Sequence, residues 1–445
     1  MNAYHFKTAP YKHQVDALRK MLADPCKQVG GGLPMEMGTG KTKIAIDYAC
    51  IKEIQGEIQQ VLVLAPLSVV GVWDGEIRKH SSSETLAWKA TNYDKLPHKH
   101  YFDELVSFVN RAPTLLVLDE SHKIKNPQAK RTKAALILAQ LCVRTLWLSG
   151  TSAHQSPLDL FAPMKAIDDA ILGGSWAVFK RQYAMWGGYG GYQLIKYMNL
   201  KQLRARVDPY IFPMQKKDCL DLPSKTHQIV PVDLRESRRA YDTLARESIA
   251  WIEGLEVETP IVLTKLLRLS QLTGGWAHHD DESRRVGNEK LDKFRGLLGD
   301  MYEQDRIKVV VFCRFIPELR DICAAAKEIG YRVLPFHGKT PVAQRDRFIA
   351  KFEETKDPTV FVAQIDTGSL GITLTAASEC IFFSHSYSAI TFDQACDRLH
   401  RIGQRHPVTY YHMLARDTVD EAVWLSLRTK RKLAQLVMHN PELLT

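Results

Sequence analysis

Eight short apolar runs constrain the fold of this chain more than any other feature. Three lie in the first half: VLVLAP (61–66), TLLVLDE (114–120) and TLWLSG (145–150). Five lie in the second: KVVVFC (308–313), YRVLPFHG (331–338), TVFVAQ (359–364), CIFFSH (380–385) and TYYHML (409–414). Their β-branched and aromatic residues run unbroken instead of alternating, which fits strands buried on both faces. Each run is followed by a helical stretch, and strands alternating with helices predict parallel sheets. The stretch between the two series, about 157–290, lacks comparable strands and reads as mostly helical. The fold class is therefore α/β, with two parallel-sheet lobes and helical insertions near their junction. The expected boundaries are a first lobe over 1–212, carrying an insertion at about 157–210, and a linker with a helical protrusion over 213–290. A second lobe follows over 291–445 and ends in a basic amphipathic helix at 426–437, expected to brace the two lobes. A chain of 445 residues has room for these cores.

A net charge of +10 and a pI near 9.0 point to a polyanionic partner. The eight cysteines are scattered and form no C-x-x-C pair, so they read as reduced core thiols. No apolar run is long enough to span a bilayer and the N-terminus carries no apolar signal region. The expected setting is the cytoplasm of a prokaryote or a virus-infected cell, or the nucleus if the source is eukaryotic.

Chemistry enters with MEMGTGKTKIAI (35–46). Gly38 and Gly40 let backbone N–H groups turn inward around a phosphate. Lys41 would reach the β- and γ-phosphates, Thr42 would ligate Mg2+, and the following helix offers its positive N-terminus. The strict phosphate-loop pattern needs Gly at position 35 and finds Met35, so the loop is a variant. The plainer reading is a glycine-rich turn. TLLVLDESHKIKN (114–126) weighs against it, because a buried strand ending in Asp119 and Glu120 puts two carboxylates at the ligand-binding edge of a sheet. Asp119 can hold magnesium, and Glu120 can orient and deprotonate the attacking water. His122 either couples this site to LSGTS (148–152) or is a satisfied structural histidine.

The second half has no phosphate loop. It has AQIDTGSLGITL (363–374) and QACDRLHRIGQ (394–404). Arg398 and Arg401 stand three apart, the spacing of one helical face, in a stretch expected to start a helix or lie along one. Two guanidiniums pointing the same way call for an anion, and an arginine finger from a second lobe stabilises a γ-phosphate in transfer. The competing reading is a solvated basic face or a bridge to Asp397.

Taken in order, these blocks resemble the motor of helicase superfamily two, most closely its Swi/Snf-type branch of double-strand DNA translocases. PYKHQVDAL (10–18) resembles the family's glutamine element, EMGTGKT its phosphate loop, and LVLAPLSVVGVWDGEIRKH (62–80) its A-P-x-S…W…E block. DESHKIKN, LSGTS, HGKTPVAQRDRFIAKF (337–352) and QACDRLHRIGQ match further motifs, the last being the branch's most specific signature. The resemblance spans about residues 10–425. It implies two RecA-like lobes that use ATP and Mg2+. Gln14 would read adenine; Met37, Gly38, Thr39, Gly40, Lys41, Thr42 and Gly371 would contact nucleotide; Thr42 and Asp119 would hold the metal. Lys41, Asp119, Glu120, Arg398 and Arg401 would carry catalysis, and Ser68, Thr151, His337, Lys339, Thr367 and Gly368 would lie near DNA phosphates. Three positions depart from the pattern: Met35 for Asp, Ser152 for the Pro of G-T-P, and Ser369 for the second Gly of A-G-G-x-G. The first two leave details of the cleft open.

The implied function is an ATP-driven motor moving along plain, forked or branched duplex DNA as a monomer, with protein partners supplying its target. Rival readings are a strand-separating DNA or RNA helicase, an ATP-gated clamp and, on weaker grounds, a nuclease. FKRQYAMWGGYGGYQLIKYMNLKQLRARV (179–207) mixes basic and aromatic residues. It reads either as a DNA-contacting insertion with a loop carrying Tyr189 and Tyr192, or as a protrusion whose Trp176, Phe179 and Tyr183 pack a small core of their own.

Overall fold

In a computed structural model of the chain, residues 4–444 are described except 24, 151–155, 189–192, 255–258, 280–281, 306–307, 369–371, 431–432, 434–435 and 438–439. The chain divides into two compact units, Met1–Asp221 and Leu222–Thr445.

The first unit is built on strands β1 (Gly30–Pro34), β2 (Gln60–Ala65), β3 (Ala87–Asn92), β4 (Thr114–Leu118) and β5 (Arg144–Ser149). They form one sheet in the order β1-β5-β4-β2-β3, with every pair parallel. Val61, Val63, Leu115, Val117, Leu146 and Leu148 face one way, onto Ile44 and Tyr48 of the helix Lys41–Ile54. Leu62, Leu64, Leu116, Leu118 and Trp147 face the other, onto a cluster that includes Phe161. Both faces are covered, which is why the strand residues need no polar alternation. β1 is different: its sequence is GGGLP. A Cβ on Gly32 would meet the Trp147 ring at 2.2 Å, and one on Gly31 would meet the Met21 sulfur at 2.5 Å. Glycine lets this strand lie flush against its neighbours.

The same unit carries an antiparallel hairpin, β6 (Ala184–Gly187) with β7 (Gln193–Tyr197). The second unit holds β8 (Lys225–Val232), a small antiparallel pair β9 (Trp276–His279) and β10 (Glu282–Arg285), then β11 (Lys308–Cys313), β12 (Arg332–Phe336), β13 (Thr359–Gln364), β14 (Glu379–Phe382) and β15 (Val408–Ala415). Its sheet runs β12-β13-β11-β14-β15-β8, again all parallel.

The middle of the chain therefore corrects the sequence expectation. Residues 157–290 contain two short hairpins and β8, which is a full edge strand of the second sheet. β8 is exposed along most of its length, and its sequence, KTHQIVPV, carries no continuous apolar signal. The helices Arg238–Gly254 and Thr259–Thr273 do supply a helical segment here. The helix Val419–Thr429 takes in the start of the basic stretch expected at 426–437; Leu433, Leu436 and Val437 further along it are also helical, and 431–432 and 434–435 lie outside the described residues. All eight cysteines are free thiols. Among the described residues no helix is long and apolar enough to cross a membrane.

Candidate nucleotide and nucleic-acid sites

β1 ends where the glycine loop begins. Gly38 and Gly40 have φ of 78° and 86°, the left-handed region that glycine enters freely. Gly40 also caps the helix Lys41–Ile54, so the loop feeds directly into a helix N-terminus. A Cβ on Gly40 would lie 2.1 Å from Gln14 Nε2. Gln14 is thus pressed against the loop: its amide donates to the Thr39 carbonyl at 3.2 Å and accepts from the Tyr11 N–H at 3.0 Å. His13 lies 2.8 Å from the same carbonyl. Lys41 Nζ donates to the carbonyls of Met35 at 2.9 Å and Glu36 at 3.3 Å, so the ammonium sits over the loop it belongs to.

Asp119 follows β4 and is buried. Its Oδ2 accepts the indole N–H of Trp73 at 3.0 Å, and its Oδ1 accepts the Glu120 N–H at 2.9 Å. The Tyr93 hydroxyl donates to the Asp119 carbonyl at 2.8 Å. Burial, and then the Glu120 charge, push the Asp119 carboxyl up to about 6, while Trp73 and Lys41 pull it down. Lys41 therefore belongs to the electrostatic surroundings of the Asp119 carboxylate, although the two come from different elements. Glu120 has φ 49° and ψ 56°. A left-handed glutamate costs on the order of 1–3 kcal/mol and is sustained by surrounding structure. Here it turns the chain from β4 into the short 3-10 helix Ser121–Ile124. Glu120 Oε2 lies 3.2 Å from His122 Nδ1, so His122 partners the adjacent carboxylate. Trp73, fully buried, matched a family block in the sequence, but only the fold reveals its bond to Asp119.

In the second unit, Arg398 and Arg401 are not on a helix. The helix Ala389–Cys396 ends before them, and Asp397–Gly403 form turns and a bend. Tertiary bonds interrupt the helix: the Arg398 carbonyl accepts the Leu374 N–H at 3.0 Å, and Gly403 reverses the chain at φ 102°. The two side chains still converge, with Nη1 of each donating to the Ile372 carbonyl, at 3.3 Å for Arg398 and 3.4 Å for Arg401. Gln404 closes the turn. Its Nε2 lies within hydrogen-bond distance of the Thr375, Ala377 and Leu399 carbonyls, and its Oε1 accepts from the N–H groups of Arg405 and His406. This is the role of the final Gln in QACDRLHRIGQ.

Near the ends of β12 and β13, His337, Gly338, Lys339 and Thr340 form a turn held by Arg345. Arg345 Nε donates to the Thr340 carbonyl at 2.9 Å, and Nη2 donates to the Gly338 carbonyl at 3.0 Å. A Cβ on Gly338 would lie 3.9 Å from Thr367 Oγ1, which brings His337, Lys339 and Thr367 to one neighbourhood, with Gly368 next in the chain. Lys339 is exposed. Ser68 stands in the first turn of the helix Leu67–His80. Thr151, Ser152, Ser369 and Gly371, and the loop tyrosines 189 and 192, lie outside the described residues. Trp176, Phe179 and Tyr183 pack among themselves and with Phe161, with ring centroids 4.8–5.9 Å apart along the series.

The sequence matches the family profile described as SNF2-related domain over residues 13–279, and that described as helicase conserved C-terminal domain over residues 289–403. It is 27% identical over 447 residues to an uncharacterized ATP-dependent helicase of Mycoplasma genitalium, covering 95% of this chain and 42% of that protein. It is 23% identical over 423 residues to the DNA annealing helicase and endonuclease ZRANB3 of Mus musculus, covering 89% and 38%. Among solved structures it is similar to the Sulfolobus solfataricus SWI2/SNF2 ATPase core in complex with dsDNA, with 24% identity, a TM-score of 0.45, and coverage of 99% and 96%. The chain spans less than half the length of these two curated relatives.

Proposed function

Because this chain belongs to the family of SNF2-related domains joined to a helicase C-terminal domain, we propose that it is a DNA-stimulated ATPase of helicase superfamily two that moves along duplex DNA. The observation that carries the reading is the meeting of a glycine phosphate loop, its lysine and a buried Asp119–Glu120 pair in one unit. The donor set fits a hard divalent cation: a helix-start hydroxyl at Thr42 and a desolvated carboxylate at Asp119. Bound Mg2+ would neutralise phosphate charge. Gly38, Thr39 and Gly40, with Met37 before them, wrap the phosphates, and Lys41 leaves the Met35 carbonyl for the phosphate oxygens. Gln14 fixes the loop through the Thr39 carbonyl and reads the adenine. Glu120 orients water and takes its proton, with His122 as its neighbour. Gly371 contributes from the second unit.

Arg398 and Arg401 supply positive charge to the γ-phosphate when the lobes close, which ties hydrolysis to motion. Ser68, Thr151, His337, Lys339, Thr367 and Gly368 hold backbone phosphates through N–H groups, hydroxyls and one ammonium, gripping without reading sequence. Forked and branched DNA share that backbone and serve equally as tracks.

Steady-state ATP hydrolysis on plain duplex, forked and single-stranded DNA and on RNA tests this. Plain duplex should stimulate turnover strongly, Lys41→Ala should abolish it, and Arg401→Ala should bind ATP nearly normally while losing turnover by about a thousandfold. Stimulation by single strands or RNA alone would overturn the duplex reading. Arg401→Ala that loses ATP affinity but keeps turnover would remove the finger from the mechanism.

A further inference from the structure

From Ala170 to Val207 the chain holds six cations, Lys180, Arg181, Lys196, Lys201, Arg204 and Arg206, and not one Asp or Glu. With 50 acids in 445 residues, about four would fall there at the chain's average. The segment folds as a unit: the helix Trp176–Tyr183, the hairpin β6–β7 and the helix Leu200–Val207. The aromatic cluster of Trp176, Phe179 and Tyr183 anchors it on Phe161. Asn199 Nδ2 to the Gln182 carbonyl at 2.8 Å, and Gln182 to Gln202 at 3.0 Å, tie the two helices together.

Five of the cations are exposed, and Lys180 lies 3.9 Å from the centre of the Trp186 ring. None of the six pairs with a carboxylate among the described residues; Lys123, Lys125 and Lys133 elsewhere in the unit are likewise unpaired, so it is the lack of acids in the segment that sets it apart. Lys201 and Arg204 line a cleft of about 1040 Å³ together with Lys20, and Asp208 is the single carboxylate of that lining. Arg181, Lys196 and Arg206 are exposed on the same module but do not line that cleft.

We propose that this acid-free module is a second nucleic-acid contact, binding the sugar–phosphate backbone of duplex DNA independently of sequence. It is separate from the phosphate-gripping residues of the motor and rests on the duplex-tracking reading above. Exposed cations repel one another until they neutralise the phosphates of a polyanion, which releases the condensed counterions into solution, and the signature of that release is salt dependence.

The test measures the affinity of the whole chain for a fluorescein-labelled duplex across a salt series, for wild type and for Arg181, Lys196, Lys201, Arg204 and Arg206 all changed to Gln. The slope of log affinity against log salt should fall by about 4–5, at about 0.9 for each of the five phosphate contacts removed. Arg19→Gln with Arg131→Gln should leave it unchanged. If the fivefold variant fails to melt cooperatively, the pair Arg181→Gln with Arg206→Gln should still lower the slope by about 1–2. A wild-type slope retained in a folded variant overturns the proposal alone. A wild type without salt-dependent duplex binding overturns the tracking reading and this one with it. Loss of poly-glutamate binding with duplex binding intact would assign the surface to an acidic protein and also overturn it.

Discussion

The carboxyl of Asp119 condenses the chemistry of the first unit. Burial and Glu120 raise it to about 6, and the Trp73 indole opposes them by favouring the charged form. The folded chain therefore holds a proton there between the ordinary carboxylate range and about 6, so this group's stabilising contribution falls as pH rises through that window and is absent above it. The ionised form is the one that can hold a metal. Trp73→Phe should thus raise the carboxyl of the free chain further and move the acidic limb of the kcat/KM profile to higher pH, measured between about pH 5 and 8. A limb that stays in place or moves down would mean that the indole does not tune this group. The sequence made Asp119, Glu120 and Lys41 legible because each residue type belongs to its chemistry. It did not expose the Trp73 bond, which joins residues 46 positions apart.

At the scale of elements, legibility followed burial. The eight apolar runs became β2, β4, β5 and β11 to β15 because both faces of each sheet are covered. β1 was hidden because close approach to Trp147 demands glycine, which carries no hydropathy signal. β3 and β8 are edge strands whose exposed residues leave no continuous apolar run, whereas the edge strand β12 keeps one in VLPF. The arginine segment was legible as a motif but not as a shape. Its arginines converge through turns, and Gln404 is what shapes them. Gln404→Ala would take the amide donor from the buried Ala377 and Leu399 carbonyls, costing about 1–3 kcal/mol. We predict a lower unfolding midpoint and reduced kcat, with ATP affinity near normal by equilibrium binding. Wild-type kcat with weakened ATP binding would contradict a role for Gln404 in shaping the arginine turn.

At the scale of the whole molecule, two parallel-sheet units divide the proposed labour. The first would hold ATP, the second would supply the arginines, and each would contribute phosphate contacts to the track. The proposed motor would move along a duplex without having to separate its strands, which sets it apart from a strand-separating helicase of the same two-unit plan. The decisive assay is displacement of a third strand from a DNA triplex, run with ATP on a blunt duplex that the chain must traverse. The third strand should be released only with ATP, not at all by Lys41→Ala, and the underlying duplex should stay paired. ATP hydrolysis with the triplex intact, or release accompanied by separated duplex strands, would rule out translocation of this kind.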